Sequence, residues 1–353
     1  MKIVVLAGGL STERDVSLAS GSMVAAALAE KGHAVVMVDA FMGIEKPAEG
    51  LESLFKKLPE FKAEKRDIPS IPPDLSAVRA SRVPDNGTFL GDNVLEICKL
   101  ADVVFIALHG AGGEDGRIQA VFDYMDIPYT GSGFYGCVKA MDKEAAKLIM
   151  RENGIPTADW VHVGDIKKIN WDAIHALGFP TVVKPTCGGS SVATFIVDNE
   201  ADLREAVDIA WKVSGNILCE EYFGGREVDC GVLDGKALNP IEIIPVSGWF
   251  DYEKKYQPGM TREVCPAEIP AEHAEKLRDA ALRVHKALGL GFYSRIDFKI
   301  LNDGRFTCLE ANTLPGFTSA SLFPKEAADA GLSYPDLCDM IVRDAAKTKK
   351  ESK

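Results

Sequence analysis

The chain has 353 residues, of which 46% are hydrophobic and 26% are charged, and its net charge is −12. This composition is typical of a soluble globular protein with two or three domains, and it excludes a disordered chain. The negative charge opposes binding to nucleic acid or to an anionic membrane through bulk electrostatics, so any bound anion requires local basic residues.

The cysteines and the first residues favour a cytoplasmic location. The cysteines show neither CxxC nor metal-finger spacing, and most of them lie in apolar runs, so we expect reduced, structural thiols. Met1 leads directly into the apolar residues 3–6, without the charged region and cleavage site of a signal peptide. No apolar run has the length that spans a bilayer.

Residues 1–121 are predicted to form a parallel α/β domain, with residues 41–93 as an elaboration of it. The predicted strands are residues 2–9, 33–40 and 101–110, and the predicted helix is residues 17–31. In a parallel sheet, ligands collect at the carboxyl ends of the strands, where Gly8-Gly9 and His109-Gly110 both lie. Because a GxGxxG fingerprint is absent, the sequence disfavours an NAD-dependent dehydrogenase.

Residues 122–215 are predicted to form a second domain that binds phosphate. A helix begins near Met141 and ends at Gly154, and strand-rich sequence follows it. Within residues 179–197, two β-rich arms flank a Gly-Gly-Ser-Ser turn that comes shortly after Lys184. Such a loop offers backbone N–H groups and hydroxyls to a phosphate, while the lysine supplies charge. The alternative is an ordinary hairpin with a flexible tip.

Residues 216–353 are predicted to form a third domain. It starts with two strands separated by a bend at Gly224-Gly225. Residues 247–260 are rich in aromatic residues and lysine but have no regular period, so we expect a loop that packs over a site. An amphipathic helix then ends at Gly289 or Gly291.

A predicted hairpin near the C-terminus carries the most informative residues. Apolar and polar residues alternate on both sides of Asp303-Gly304, which predicts a two-residue turn. That turn places Asp297 opposite Glu310. It also places Arg295 opposite Asn312, and all four side chains project from one face. Two opposed acids beside an amide oxygen favour a bound Mg²⁺, whose shell substrate phosphates complete. The hairpin therefore indicates a nucleotide enzyme, and the alternative is a surface hairpin with solvated acids.

Seven sequence blocks follow the order found in one known family. They are GGLSTERDVS, HGAGGEDGRIQA, AMDK, VVKPTCGGSSV, DYEKKY, SRID and LEANTLPGFTSASL. Together they extend over nearly the whole chain, which resembles the D-alanine–D-alanine ligases of the ATP-grasp superfamily. The resemblance implies an α/β protein with an N-terminal parallel α/β domain and a two-domain ATP-grasp part of α+β type, whose two sheets hold ATP.

The resemblance also implies which residues bind ATP and metal. The implied phosphate contacts are Lys143, Lys184, Ser190 and Ser191. The implied adenine and ribose contacts are Glu220, Glu221, Tyr222, Phe223 and Glu227. The implied ligands of two Mg²⁺ ions, with Mn²⁺ as an alternative metal, are Asp297, Glu310 and Asn312. The hairpin register identifies these three ligands independently.

A further set of residues is implied to handle the substrates. The implied substrate contacts are Glu13, Val16, His109, Arg295, Gly316, Ser321 and Leu322. Glu13 would bind the ammonium of the first D-alanine and would connect through hydrogen bonds to Ser190 and Tyr256. Lys255 and Tyr256 would belong to a catalytic lid that excludes water from an acyl phosphate. Ser321 would hydrogen-bond the carboxylate of the second D-alanine.

Two more catalytic roles are implied. Arg295 would stabilise a tetrahedral oxyanion. His109 would orient a substrate or handle a proton, and the alternative for it is a helix-capping or core histidine.

The implied reaction makes D-Ala-D-Ala for peptidoglycan precursors, in a protein that the family suggests is a homodimer. One D-alanine carboxylate attacks the γ-phosphate of ATP, and the amine of a second D-alanine then displaces phosphate. Lys255-Tyr256 and Leu322 favour D-alanine as the second substrate, whereas residues 313–317 and Ala320 resemble relatives that add D-serine or D-lactate. A D-Ala–D-Ser ligase or another carboxylate–amine ligase stays an alternative. A nucleotide-binding regulatory protein would require a broken metal site.

Overall fold

The computed structural model describes residues 1–56, 68–85, 87–248, 254, 255, 257 and 259–351, with side chains to residue 347. The strands are β1 (Lys2–Ala7), β2 (Ala34–Asp39), β3 (Val103–Ile106), β4 (Trp160–Val163), β5 (Thr181–Pro185), β6 (Phe195–Val197), β7 (Ile217–Glu221), β8 (Arg226–Leu233), β9 (Lys236–Ala237), β10 (Ile241–Pro245), β11 (Thr261–Val264), β12 (Tyr293–Ile300) and β13 (Phe306–Asn312). The α-helices are α1 (Arg14–Glu30), α2 (Leu75–Ser81), α3 (Val94–Leu100), α4 (Arg117–Tyr124), α5 (Phe134–Met141), α6 (Lys143–Glu152), α7 (Trp171–Ala176), α8 (Glu200–Ser214), α9 (Ala271–Leu288), α10 (Leu322–Asp329) and α11 (Tyr334–Glu351). Two short 3₁₀ helices cover Leu51–Phe55 and Ile166–Lys168.

The first sheet is parallel, as predicted, with the strand order β2-β1-β3. Apart from Lys2 and Asp39 at two strand ends, its strands are apolar because both faces are covered, and residues 3–7 are completely buried. Helix α1 begins at Arg14, three residues before the predicted start at Ser17. The hydroxyl of Ser17 accepts a hydrogen bond from the N–H of Gly8 and donates to the carbonyl of Ala107. The first turn of α1 is therefore tied to the carboxyl ends of β1 and β3.

A four-stranded antiparallel sheet follows, with the order β4-β7-β5-β6. Strands β5 and β6 are the two arms predicted around the Gly-Gly-Ser-Ser turn. Helix α8 covers one face through Leu203, Val207 and Ala210, which share a core with Val183 of β5 and Ile217 of β7.

The third sheet has the order β11-β10-β8-β12-β13, and β9 pairs with β8. Helix α9 buries Leu277, Val284 and Leu288 in a core shared with Ile296 and Phe298 of β12. The helix ends before Gly289, whose φ of +65° terminates it in the left-handed conformation. This is one of the two predicted end points.

The hairpin register at the site is confirmed, because Asp297 pairs with Glu310 and Arg295 pairs with Asn312. The predicted two-residue turn is wrong. The N–H of Leu301 donates to the carbonyl of Arg305 at 2.8 Å, which leaves three residues in the turn. A register shift after Asp297 then leaves one extra residue in β13, and this shift restores the predicted pairing. The longer turn shifts the register by one residue and the extra residue in β13 shifts it back, so the pairing at Asp297 is the predicted one.

The domain boundaries stay a prediction, and the strand pairing favours a different position for the one at 215/216. Strand β7 pairs with β4 and β5, although the predicted boundary at 215/216 assigns it to the C-terminal domain. A boundary between Glu221 and Arg226 would keep each sheet within one domain, and we propose this later position. Of the helices in the described part of the chain, none is long and apolar enough to cross a membrane.

An aromatic cluster joins the first sheet to the third. The ring of Phe317 makes edge contacts with Phe105 of β3 at 5.4 Å and with Tyr293 of β12 at 5.8 Å between centroids. It also packs on Phe323 and Tyr334, and only 2% of its surface is exposed. Phe317 follows residues 313–316, which we call the substrate loop because the resemblance implies that Gly316 contacts substrate. The aromatic cluster therefore anchors this loop to both sheets.

We expect Phe317→Ala to lower the free energy of unfolding by about 3–5 kcal/mol, because the change leaves a cavity where two sheets meet. Urea denaturation followed by circular dichroism measures the loss. Tyr124→Ala is the matched control, since Tyr124 is 96% exposed; it should change the free energy by less than about 0.5 kcal/mol. Equal effects of the two substitutions would contradict the anchoring role of Phe317.

Candidate active site

The face of the hairpin carries a compact charged cluster. Arg295 donates from Nε to Asp297 Oδ1 at 2.8 Å and from Nη2 to Asp297 Oδ2 at 2.9 Å. Asn312 Nδ2 also donates to Asp297 Oδ2, at 3.0 Å. Glu310 lies 3.3 Å from the ammonium of Lys143. The structure therefore brings together the four residues that the strand register predicts on one face.

Glu310 lies in a strongly positive environment. Burial alone would raise the pKa of its carboxyl, but the charges of Lys143, Lys255, Lys184 and Arg295 lower that pKa to about 2. Glu310 is therefore ionised at neutral pH and can accept a cation without first losing a proton.

A cavity of about 1070 Å³, including its open mouth, lies between the four-stranded sheet and the third sheet. Among its lining residues are all those implied to bind ATP and two implied metal ligands: Lys143, Lys184, Ser190, Ser191, Glu220, Glu221, Tyr222, Phe223, Glu227, Asp297 and Glu310. The two sheets thus meet at the residues that the nucleotide hypothesis requires.

Glu220 is buried between two lysines at the floor of this cavity. Its Oε1 lies 2.9 Å from Lys184 Nζ and 3.4 Å from Lys147 Nζ. Burial opposes ionisation, but the two lysines lower the pKa of Glu220 below its usual value. The sequence interpretation missed Lys147, which is one helical turn after Lys143 on α6. Its burial, which lowers its pKa to about 8, is a tertiary effect.

Ser190 connects the Gly-Gly-Ser-Ser turn of residues 188–191, the predicted phosphate loop, to the N-terminal domain. Its hydroxyl donates to Glu13 Oε1 at 2.5 Å. Ser190, Ser191 and Ala193 all have left-handed backbone conformations, with φ of +52°, +59° and +55°. Such angles are costly for residues other than glycine, and they tend to cluster in functional loops. The loop therefore holds a defined, strained shape in which Ser190 contacts Glu13.

A second cavity lies beside the first. Among its lining residues are all those implied to bind substrate: Glu13, Val16, His109, Arg295, Gly316, Ser321 and Leu322. Ser190, Lys255 and Glu310 line both cavities, so these residues form the junction between them. Tyr256 lies outside the described residues, as does much of the predicted loop of residues 247–260.

His109 is buried, and both of its ring nitrogens have partners. Nδ1 lies 3.0 Å from the carbonyl of Leu314, and Nε2 lies 3.3 Å from the hydroxyl of Ser20. Burial lowers the pKa of His109, so the ring is neutral at pH 7. A neutral ring tied to the substrate loop is suited to orienting a substrate, and the core-histidine alternative shares this geometry.

Glu114 is a lining residue of the second cavity that the sequence interpretation missed, although it belongs to the HGAGGEDGRIQA block. Its carboxylate accepts from the N–H of Gly110 at 2.7 Å and from the N–H of Leu314 at 3.4 Å. Burial and the nearby charge of Glu13 raise its pKa to about 8. Glu114 therefore ties the His109 loop to the substrate loop.

Ser321 precedes helix α10 and lies at the far end of the second cavity. The Ser321 hydroxyl accepts from the N–H of Thr318 at 3.1 Å and lies 2.8 Å from the Thr318 hydroxyl. A helix N-terminus favours an anion, so this end of the cavity suits a carboxylate.

The hairpin residues fit Mg²⁺ by the chemistry of their donor atoms. Asp297, Glu310 and Asn312 offer two carboxylates and an amide oxygen where the two cavities meet. In the described part of the chain, no cluster of three or more histidines, cysteines or acids is arranged to hold a metal. Few protein ligands and hard oxygen donors are what Mg²⁺ uses when phosphates complete its shell.

Comparison with known proteins gives one consistent family. The family models described as D-ala D-ala ligase N-terminus and C-terminus match residues 2–132 and 149–343. The chain is 43% identical to a D-alanine–D-alanine ligase of Pediococcus pentosaceus over 100% of both chains. It is 39% identical to one of Lacticaseibacillus casei, over 98% of this chain and 96% of that protein.

Solved structures agree with these relatives. A D-alanine–D-alanine ligase from Bacillus anthracis complexed with ATP has a TM-score of 0.77 and 30% identity over 100% of both chains. The VanG D-Ala:D-Ser ligase from Enterococcus faecalis has a TM-score of 0.75 and 28% identity, over 98% of this chain and 99% of that one. From its matching sequence, sheets and paired cavities, the chain belongs to the D-alanine–D-alanine ligase family and has the ATP-grasp fold.

Proposed function

We propose that this chain is an ATP-dependent ligase that makes D-Ala-D-Ala through a D-alanyl phosphate, for peptidoglycan precursors. The observation that carries the proposal is the junction between two cavities, one lined by the residues implied to bind ATP and one lined by those implied to bind substrate. Ser190, Lys255 and Glu310 line both cavities. A phosphoryl group can therefore pass directly from a nucleotide in one cavity to a carboxylate in the other.

In the first step, the residues around the nucleotide cavity position ATP. Lys143 and Lys184 neutralise phosphate oxygens, and Glu227 accepts a ribose hydroxyl. Two Mg²⁺ ions, for which Mn²⁺ is an alternative, would be held by Asp297, Glu310 and Asn312 and would neutralise charge on the transferred phosphoryl group. Positioning and charge neutralisation supply most of the catalysis in such a transfer.

The two D-alanine molecules occupy the second cavity. Glu13 binds the ammonium of the first, whose carboxylate then points to the junction. The hydroxyl of Ser321 donates a hydrogen bond to the carboxylate of the second molecule, which lies beside the apolar side chain of Leu322. Arg295 stabilises the tetrahedral oxyanion when the second amine attacks the acyl phosphate, and His109 orients the substrates.

D-Ala–D-Ser ligation is less favoured. Relatives that are 43% and 39% identical over nearly the whole chain are named D-alanine–D-alanine ligases. A homodimer and a cytoplasmic location stay predictions.

Product analysis tests the proposal directly. The protein is incubated with ATP, Mg²⁺ and D-alanine, L-alanine, or D-alanine mixed with D-serine or D-lactate, and products are identified by mass. We expect D-Ala-D-Ala to dominate in each D-alanine mixture and no dipeptide from L-alanine. A mixed dipeptide as the main product would move the assignment to a D-Ala–D-Ser or D-Ala–D-lactate ligase.

We expect Asp297→Asn to lower kcat by about 100-fold or more, because it removes one of two carboxylates that would hold the metal. Steady-state release of phosphate measures kcat, and circular dichroism checks the fold. Asp303→Asn is the matched control, since Asp303 is exposed in the turn of the same hairpin. An active Asp297→Asn protein would remove the metal assignment.

Glu13→Gln should raise the KM for the first D-alanine by about 10–100-fold, the effect of losing a charged hydrogen bond of about 1.5–3 kcal/mol. The KM for ATP should rise less, because the hydroxyl of Ser190 can still donate to the amide oxygen of the glutamine. Asp15→Asn on the same helix turn is the control, since Asp15 lines neither cavity. Initial rates at varied D-alanine concentrations separate the two variants, and matching KM values would contradict the role of Glu13.

A further inference from the structure

Asp229 is a buried acid behind the candidate active site. It lies on β8 directly opposite Asp297 on β12, and only 1% of its surface is exposed. It lines neither of the two cavities. Among the described residues, its one close partner of opposite charge is Arg295, whose Nε lies 2.9 Å from Asp229 Oδ2. An acid at this depth cannot touch a substrate, so any part that it plays in the reaction runs through Arg295.

Arg295 is shared between two acids. Both oxygens of Asp297 accept from it, one from Nε and one from Nη2. Both carboxylate oxygens of Asp297 therefore accept hydrogen bonds from the arginine, and one of them also accepts from Asn312. For Asp297 to bind a cation, at least one of these oxygens has to turn away from Arg295. The guanidinium then requires another acceptor, because a buried donor without a partner is costly.

Asp229 offers that acceptor. Its Oδ1 is buried and has no hydrogen-bond partner among the described residues, while its Oδ2 lies 2.9 Å from the Nε of Arg295. A planar guanidinium binds a carboxylate through two parallel N–H groups, so Nε and Nη2 can both move onto Asp229.

We propose that Asp229 is a positioning residue: it holds Arg295 so that Asp297 can turn its oxygens to a bound cation, while Arg295 stays aimed at the substrate cavity. The part that Asp229 plays in catalysis rests on the proposed function. The contact itself is independent of which substrate is ligated. Without Asp229, Arg295 competes with the cation for Asp297.

Binding of Mn²⁺ tests this competition without any turnover. Mn²⁺ binding to the protein with ADP is followed by electron paramagnetic resonance. Asp229→Asn should weaken Mn²⁺ binding by about 10-fold or more, the usual effect of removing an outer partner of a metal ligand. The decisive variant is the double substitution Asp229→Asn with Arg295→Met, which should restore much of the affinity because the competitor is gone.

Glu242→Gln is the matched control. Glu242 is also buried, on β10 of the same sheet, and is paired with an arginine, Arg226, away from both cavities. Its loss should leave Mn²⁺ binding unchanged at a similar cost in melting temperature. If Asp229→Asn does not fold, as judged by its melting curve, Asp229→Ser takes its place.

The outcomes separate the two proposals. Mn²⁺ binding that Asp229→Asn leaves unchanged, or that Arg295→Met fails to restore, overturns the inference and leaves the proposed function standing. A wild-type protein that makes no dipeptide but shows the loss and the rescue overturns the proposed function alone. No Mn²⁺ binding by the wild type overturns both the metal site and the role of Asp229.

Discussion

The antiparallel pairing of β8, β12 and β13 is the constraint on which the rest of the site depends. Side chains on paired strands alternate between two faces, so the pairing places Asp297 beside Glu310 and next to Arg295 on one face. Such a face cannot be buried against apolar residues, because two acids and an arginine require partners. It therefore forms the wall of a cleft, where Lys143 of α6, Lys184 of β5 and the loop residue Lys255 supply the remaining charge.

The second constraint is that three sheets have to meet at that wall. The aromatic cluster around Phe317 joins the first sheet to the third. The hydrogen bond from Ser190 to Glu13 then joins the phosphate loop to the first domain. The substrate and nucleotide cavities share their junction as a result. Transfer of a group between two bound molecules requires that they lie next to each other, and the shared junction provides this proximity.

Much of this arrangement follows from local sequence pattern. Continuous apolar runs predict the buried parallel strands, and alternation predicts the hairpin, because both patterns report which face is covered. The register at Asp297 was predicted through a two-residue turn that the structure does not contain, and a bulge restores it. Asp229 and Lys147 were missed, since a charged residue in a strand or helix shows its partner only in the folded chain.

The central claim is that the hairpin face is a metal and nucleotide site. It is tested most directly by anomalous diffraction from crystals grown with ADP and Mn²⁺. We predict Mn²⁺ peaks bonded to the oxygens of Asp297, Glu310 and Asn312, with ADP phosphates completing their shells next to Lys143 and Lys184. Mn²⁺ bound only by the nucleotide, or bound at acids outside the cleft, would contradict the account.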